Sequence, residues 1–188
     1  MSAAKSAARS MPMQTPQDLF VHELSDMLSA EQIIVQMLQQ AQSLVQTPQL
    51  KQGLQMHAEQ SQQHAHRVQQ VIDSMGATPH PVQCYAVAGL FQQLQEAMQA
   101  NPSPQVIEGL VTGGACKTEH LEIAGYNGLI EKAQAMGQTE AAQLLQQNLQ
   151  DEQQMLKQVE GIAQQLTQQM AAGMSGRPAG QQDILTSR

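Results

Sequence analysis

Four long stretches of the chain carry apolar residues at the three- and four-residue spacing of an amphipathic helix. They cover about residues 15–45, 48–75, 105–136 and 139–172. The first two stretches are separated only by a short loop before Pro48, and the last two by a short loop at Gly137. Because short connections join antiparallel neighbours, the pattern predicts two helical hairpins.

The connection between the two hairpins is much longer than either loop. It runs over residues 76–103 and contains a short helical pattern at about 84–99. A connection of this length fits a crossover between distant helix ends, and no segment alternates as a strand would. We therefore predict an all-α, ferritin-like four-helix bundle of two antiparallel hairpins, with a short fifth helix in the long crossover. A glutamine-rich helical scaffold with another connectivity is the alternative.

The two ends of the chain differ from the helical region. Residues 1–16 are small and polar and are interrupted by Pro12 and Pro16, and the last sixteen residues are similar. We predict a flexible N-terminal arm at 1–16, the bundle at 17–172 and a flexible C-terminal tail at 173–188.

Charge and cysteine content limit the classes of partner. The formal net charge of −7 disfavours a basic face that binds nucleic acid. No apolar run approaches the roughly 18 residues needed to span a bilayer. Cys84 and Cys116 form neither a CxxC motif nor a disulfide framework, so both are expected to be reduced. These features predict a cytoplasmic protein that binds neither nucleic acid nor membranes.

Polar residues stand at core positions in all four apolar stripes. They are Glu31 in the first helix, His57, Ser61 and His64 in the second, Glu119 and Glu122 in the third, and Glu152 in the fourth. Reflecting each hairpin through its loop places these residues near the middle of the helices, at a similar depth. The spacing therefore predicts that they meet at one site.

A cluster of buried carboxylates needs compensating charge. Unpaired, the four glutamates would repel one another, and each would be costly to desolvate. Two divalent cations would balance them, and oxygen-rich ligation with one or two imidazoles suits Fe or Mn. We predict a site for two ions per bundle, with these ligands: Glu31, His64, Glu119, Glu122 and Glu152.

The other acidic and histidine side chains lack this convergence. We expect these glutamates at the surface: Glu59, Glu96, Glu108, Glu131, Glu140 and Glu160. His22, His66 and His80 are expected to be solvated, and His120 to lie at a helix or subunit contact.

Several motifs resemble those of one bacterial family. The segment "KTEHLEIAGY" at 117–126 is similar to K-x-E-H-Y-E-I-A-x-Y, with Leu121 in place of tyrosine. The "SAE" at 29–31, Cys84 with the following "GL" at 89–90, and the acidic pair at 151–152 also match. From about residue 18 to 166, the chain resembles the YciE/YciF ferritin-like stress-protein family.

The resemblance implies a ferritin-like bundle with an inward two-metal site, a dimer and a role in stress response. It also assigns Glu31, Glu119, Glu122 and Glu152 to ligand positions. In the second helix the family reads H-x-E-E-T, whereas "HAEQS" places Gln60 where a glutamate is usual. Either His64 compensates as a nitrogen ligand, or the centre holds one ion tightly and the second weakly.

Two functions are compatible with these residues. The first is a di-metal carboxylate protein that binds iron or manganese and reacts with dioxygen or peroxide, as a ferroxidase or a peroxide-reducing oxidoreductase. The second is a non-catalytic helical assembly module whose metal site is degenerate, which Gln60 favours. A homo-oligomer, most simply a dimer, is expected in both cases. An iron-storage cage is a weaker alternative, since nothing in one sequence specifies a closed shell. A manganese catalase-like or rubrerythrin-like peroxidase is another, but rubredoxin-type cysteine pairs are absent from the sequence.

Overall fold

The computed structural model describes residues 13–175, and this part of the chain forms five helices and no strand. The helices are α1 (Pro16–Leu44), α2 (Pro48–Ser74), α3 (Tyr85–Met98), α4 (Pro104–Ala135) and α5 (Thr139–Ser175). The predicted all-α architecture is therefore confirmed. The predicted arms at 1–16 and 173–188 lie largely outside the described residues, so that division of the chain remains a prediction.

Local chemistry sets the ends of the long helices. Thr15 caps α1 in a reciprocal box, because its hydroxyl accepts from the Asp18 N–H and the Asp18 carboxylate accepts from the Thr15 N–H. Gly76 and Gly137 follow α2 and α4 with φ angles of 65° and 72°. This left-handed conformation closes a helix and favours glycine.

The helices pack as two hairpins placed side by side. α1 packs on α2 and α4 packs on α5, while the α1–α4 and α2–α5 contacts join the two pairs. The short α3 lies against α1 and α4. This is the arrangement of a ferritin-like bundle.

Glu108, near the start of α4, lies at the loop between α1 and α2. Its carboxylate accepts from the backbone N–H groups of Gln46 and Thr47 at 2.9 and 2.7 Å, and from the Thr47 hydroxyl at 2.8 Å. α4 therefore begins at the end of the bundle where α2 begins. The chain must travel back along the bundle between α2 and α4, which explains the long crossover.

The surface position expected for Glu108 is wrong, since its side chain is buried. Thr47 is the N-cap residue of α2, and its own side chain makes no capping bond. A carboxylate beside the start of a helix interacts favourably with the positive end of the helix dipole. Glu108 accepts from the N–H groups of Gln46 and Thr47, the two residues that precede α2, and so joins the two hairpins.

The core consists mainly of aliphatic residues and methionine. Of the few aromatic side chains, Phe20 and Tyr126 are completely buried. The bundle interior is continuous from Val45 and Leu50 at one end to Ile72 and Val87 at the other. None of the helices in the described range is both long and apolar enough to cross a bilayer.

Candidate metal centre

All four long helices bring polar side chains into the middle of this apolar interior. The structure places the five predicted ligands together, and all are buried: Glu31, His64, Glu119, Glu122 and Glu152. Each occupies a core position of its helix, as the periodicity predicts. Their assignment as metal ligands remains a prediction at this point.

The donor atoms form two overlapping groups. One group contains His57, Glu119, Glu122 and Glu152, and the other contains Glu31, His64 and Glu152. Within each group the candidate ligand atoms lie within 4.8 Å of one another. Because Glu152 belongs to both, the two groups adjoin each other. Such a cluster of buried oxygen and nitrogen donors can hold a metal ion.

His57 was on the predicted stripe but not in the predicted ligand set. Its Nε2 atom lies 3.1 Å from Glu119 Oε1, and its side chain is buried. The sequence feature that could have identified His57 is its position seven residues before His64. This spacing places both imidazoles on one face of α2. Which of them meets which carboxylate depends on the axial offset between α2 and α4, which the sequence does not encode locally.

Ten buried side-chain atoms in the described part of the chain have no hydrogen-bond partner outside these inward stripes. They are Glu31 Oε2, His57 Nε2, Ser61 Oγ, His64 Nδ1 and both carboxylate oxygens of Glu119, Glu122 and Glu152. Two pairs among them lie within ion-pair distance of each other, His57 Nε2 with Glu119 Oε1 and His64 Nδ1 with Glu152 Oε1. Buried polar groups are normally paired, and an unpaired carboxylate in an interior is costly. Cations supply the positive charge and the coordination that these acceptors lack, so the donor set fits bound metal.

Groups outside the cluster orient His64. Its Nε2 atom lies 3.2 Å from Asp151 Oδ2, and Arg67 donates to the same oxygen at 3.0 Å. A carboxylate only accepts hydrogen bonds, so the Nε2 atom carries the proton. Nδ1 then faces the interior, 2.7 Å from Glu152 Oε1 and 3.5 Å from Glu31 Oε1. Such a carboxylate–imidazole pair fixes a ligand's tautomer and orientation.

A second hydrogen-bond chain supports Glu31. The Tyr126 hydroxyl donates to Glu31 Oε1 and accepts from Asn148 Nδ2 at 2.9 Å. Asn148 also donates to the His64 carbonyl at 3.3 Å and accepts from Arg67 at 2.8 Å. Tyr126 and Asn148 are completely buried, so this chain holds Glu31 Oε1 in place, while Glu31 Oε2 has no hydrogen-bond partner.

Burial and mutual repulsion favour protons on three of the glutamates. Burial, followed by the charge of Glu152, raises the pKa of Glu119 to about 10. Burial is also the main cause that raises the pKa of Glu31, and it raises that of Glu122 well above its usual value. Desolvation disfavours the charged form of each group.

The two imidazoles respond oppositely. Burial lowers the pKa of His57 to about 4, which keeps this side chain neutral. Burial acts in the same direction on His64, but the adjacent Glu152 and Glu31 carboxylates outweigh it and raise its pKa to about 10. Burial alone would raise the pKa of Glu152, yet His64 lowers it. Without metal, the cluster therefore balances part of its charge with protons, which a metal ion must displace.

Two further α2 residues lie on or beside the face that carries His57 and His64. Gln60, which stands where the resemblance expects glutamate, is half-buried and belongs to neither ligand group. Ser61 is completely buried one turn from both imidazoles. The sequence placed Ser61 on the stripe but assigned it no role.

The remaining histidines divide into two kinds. His66 and His120 are exposed. His22 and His80 are half-buried with ring centroids 5.8 Å apart, so these two side chains contact each other and are only partly exposed to solvent. The crossover folds back onto α1 at this point, where the His80 N–H donates to Ser25 Oγ at 2.9 Å.

A comparison with known families places the chain. Residues 15–172 match the family described as DUF892, a domain of unknown function. The chain belongs to the DUF892 family. One curated relative with this resemblance is YciF of Escherichia coli K12, which is 31% identical over 143 residues, covering 76% of this chain and 86% of YciF. The resemblance read from the motifs is thus confirmed.

Solved structures share the DUF892 chain's fold. The crystal structure of the E. coli stress protein YciF superposes with a TM-score of 0.79 at 28% identity, covering 83% of this chain and 99% of that one. YcfI of Rhodopseudomonas palustris, described as a candidate structural protein, gives a TM-score of 0.76 at 31% identity over 80% of this chain and 96% of that one.

Proposed function

We propose that this protein is a di-metal carboxylate protein that binds iron or manganese and reacts with dioxygen or peroxide. The observation that supports the proposal is the set of unpartnered carboxylate and imidazole atoms enclosed between α1, α2, α4 and α5. Four carboxylates would balance the four positive charges of two divalent ions, and Glu152 belongs to both ligand groups.

Each part of the site has a distinct task in this proposal. His57, Glu119 and Glu122 would hold one ion and Glu31 and His64 the other, while Glu152 belongs to both groups. When bound, two redox-active ions supply electrons to a small oxidant. The apolar interior excludes water from the ligands, and Asp151 keeps His64 Nδ1 directed inward.

Metal analysis of the purified protein tests the proposal. We expect close to two equivalents of Fe or Mn per chain, and oxygen uptake when ferrous iron is added anaerobically and air is then admitted. Glu119→Gln removes a charged ligand without changing the side-chain shape, so it should lower metal content to one equivalent or less.

Glu131→Gln is the matched control, because Glu131 is an exposed residue of the same helix. It should keep the wild-type metal content. Equal metal content in the wild-type and Glu119→Gln proteins would show that the cluster does not bind metal.

A non-catalytic assembly role is the second candidate function. The description of YcfI as a candidate structural protein and the presence of Gln60 both favour it. A structural bundle should remain metal-free and should melt at the same temperature with or without excess chelator. A metal-binding protein should melt at a lower temperature once chelated, because ligands that bind only the folded state stabilise it.

The same proposal includes a stress-response role and a cytoplasmic location for this protein. The relative YciF is described as a stress protein, which supports a stress-response role here. Both cysteines are free thiols, and burial raises the pKa of each, which fits a reducing cytoplasm. We expect a homo-oligomer, most simply a dimer, which light scattering of the purified protein would test.

A further inference from the structure

The face that α2 presents to the metal centre differs from the other three. The four glutamates come from α1, α4 and α5, whereas α2 contributes no carboxylate. Instead, α2 presents His57, Ser61 and His64 at the i, i+4 and i+7 positions of one face. At 1.5 Å per residue, Ser61 lies roughly 6 Å along the axis from His57 and about 4.5 Å from His64.

Ser61 therefore lies between the two ligand groups. His57 belongs to one group and His64 to the other. Because Ser61 shares the helical face of both imidazoles and is completely buried, it lies on the side of α2 that carries the two candidate ligands. Glu152, on α5, belongs to both groups.

The Ser61 hydroxyl is unusual among the helical hydroxyls of this protein. Serine and threonine within helices commonly donate back to the carbonyl four residues earlier. Ser25, Thr112, Thr118 and Thr167 all do so here. Ser61 does not, and its Oγ has no hydrogen-bond partner although the side chain is completely buried. Its donor is therefore available to a group inside the centre.

The ligand groups also leave coordination positions open. One offers four candidate side chains and the other three, and Glu152 is shared between them. Iron and manganese in oxygen-rich sites favour six donors. Two trivalent ions would carry six positive charges against the four carboxylates. Oxidation would therefore leave an excess of positive charge beside α2, the helix that contributes no carboxylate.

We propose that α2 frames a binding position for a small exogenous anion, with the size and charge of azide or a short carboxylate, and that Ser61 donates a hydrogen bond to it. This inference rests on the proposed metal binding. The anion occupies the side of the centre that lacks a protein carboxylate, and it compensates the charge of the oxidised ions. Ser61 is a positioning residue for that anion rather than a metal ligand.

Azide titration of the iron-loaded protein tests the inference. The full-length protein is loaded with ferrous iron, oxidised in air and titrated with sodium azide, and the azide-to-iron charge-transfer absorption is followed. Ser61→Ala should weaken azide binding about tenfold, because it removes one hydrogen bond to a charged acceptor. Ser61→Thr, which keeps the hydroxyl, should bind azide with nearly wild-type affinity.

Ser61→Glu provides a second, independent variant. It places a tethered carboxylate at the proposed position, so it should retain iron and show no azide-dependent absorption. Gln62→Ala, a change at an exposed neighbour on α2, is the control and should titrate like the wild type.

Iron content measured on every sample separates the two proposals. Wild-type azide affinity in an iron-replete Ser61→Ala protein would overturn the anion position while leaving metal binding intact. Loss of iron from Ser61→Ala would also overturn it, because Ser61 would then be required for holding metal. An iron-free wild-type protein would overturn the proposed function and, with it, this inference.

Discussion

At the scale of single residues, the centre depends on groups that do not belong to either ligand set. Asp151 is half-buried, and it joins His64 Nε2 to the Arg67 guanidinium. Its neighbour Glu152 points inward and belongs to both ligand sets. Successive helical residues are separated by about 100°, so one acidic residue contributes to the site and the next supports it from outside.

Replacing Asp151 with alanine should weaken metal binding without removing a ligand. His64 would lose the acceptor that fixes its proton on Nε2, and we expect metal affinity to fall by about 10- to 100-fold. Competition against a coloured chelator measures this affinity. Glu160→Ala, at an exposed position of α5, is the control. Unchanged affinity in Asp151→Ala would show that His64 is oriented by its packing alone.

At the scale of the helices, the start of α2 is stabilised by a residue of another hairpin. Glu108 accepts three hydrogen bonds from Gln46 and Thr47, and these bonds lower its pKa even though burial opposes the charged form. A carboxylate near the N-terminus of a helix also interacts favourably with the helix dipole. This contact links the start of α4 to the loop between α1 and α2.

Glu108→Ala should therefore destabilise the bundle by about 1–3 kcal/mol, since it removes three part-buried hydrogen bonds to a charged acceptor. Chemical denaturation of the metal-free protein measures the free energy of unfolding. Glu140→Ala changes an exposed residue in the first turn of α5, and it should lower the free energy of unfolding much less. If Glu108→Ala lowered the free energy of unfolding no more than this control does, water would be shown to replace the carboxylate at the loop.

Helix-scale features also show how far sequence reasoning reaches. Thr15, Gly76 and Gly137 set the ends of α1, α2 and α4 through their own helical turns, so signals of this kind are local in the sequence. The burial of Glu108 was not readable, because its partners at residues 46 and 47 come from another hairpin. A mid-helix glutamate that reaches across the bundle has the same local sequence signature as one in solvent.

At the scale of the whole molecule, the buried centre links stability to pH. The pKa of Glu119 rises from 4.5 to about 10 in the folded protein, and that of His64 rises from 6.5 to about 10. Between pH 6.5 and 10, both groups keep their protons when folded and lose them when unfolded. The unfolded state then binds fewer protons, so the free energy of unfolding falls as pH rises through this window.

The metal-free protein should consequently melt at a lower temperature at pH 9 than at pH 7. Thermal unfolding followed by circular dichroism in matched buffers measures the difference. The melting temperature of the metal-loaded protein should fall less between pH 7 and pH 9, because bound cations replace the protons on the glutamates. In the metal-free state, the melting temperature of the Glu119→Gln protein should also fall less between pH 7 and pH 9 than that of the wild type. A melting temperature that rises from pH 7 to pH 9 would contradict the proton balance described here.

The sequence by itself determined the helices, their pairing into hairpins and the polar positions on their inner faces. These features follow from the 3.6-residue period and from loop length, and both are local properties of the chain. Glu31 and Glu122 could thus be placed on inward stripes without any structure.

Only the tertiary structure decided how those stripes meet. It paired His57 with Glu119, placed His64 between Glu31 and Glu152, and brought Asp151 behind the His64 ring. Each of these contacts depends on the axial offset and rotation of one helix against another. That offset results from the packing of many side chains at once, so no single segment of the sequence encodes it.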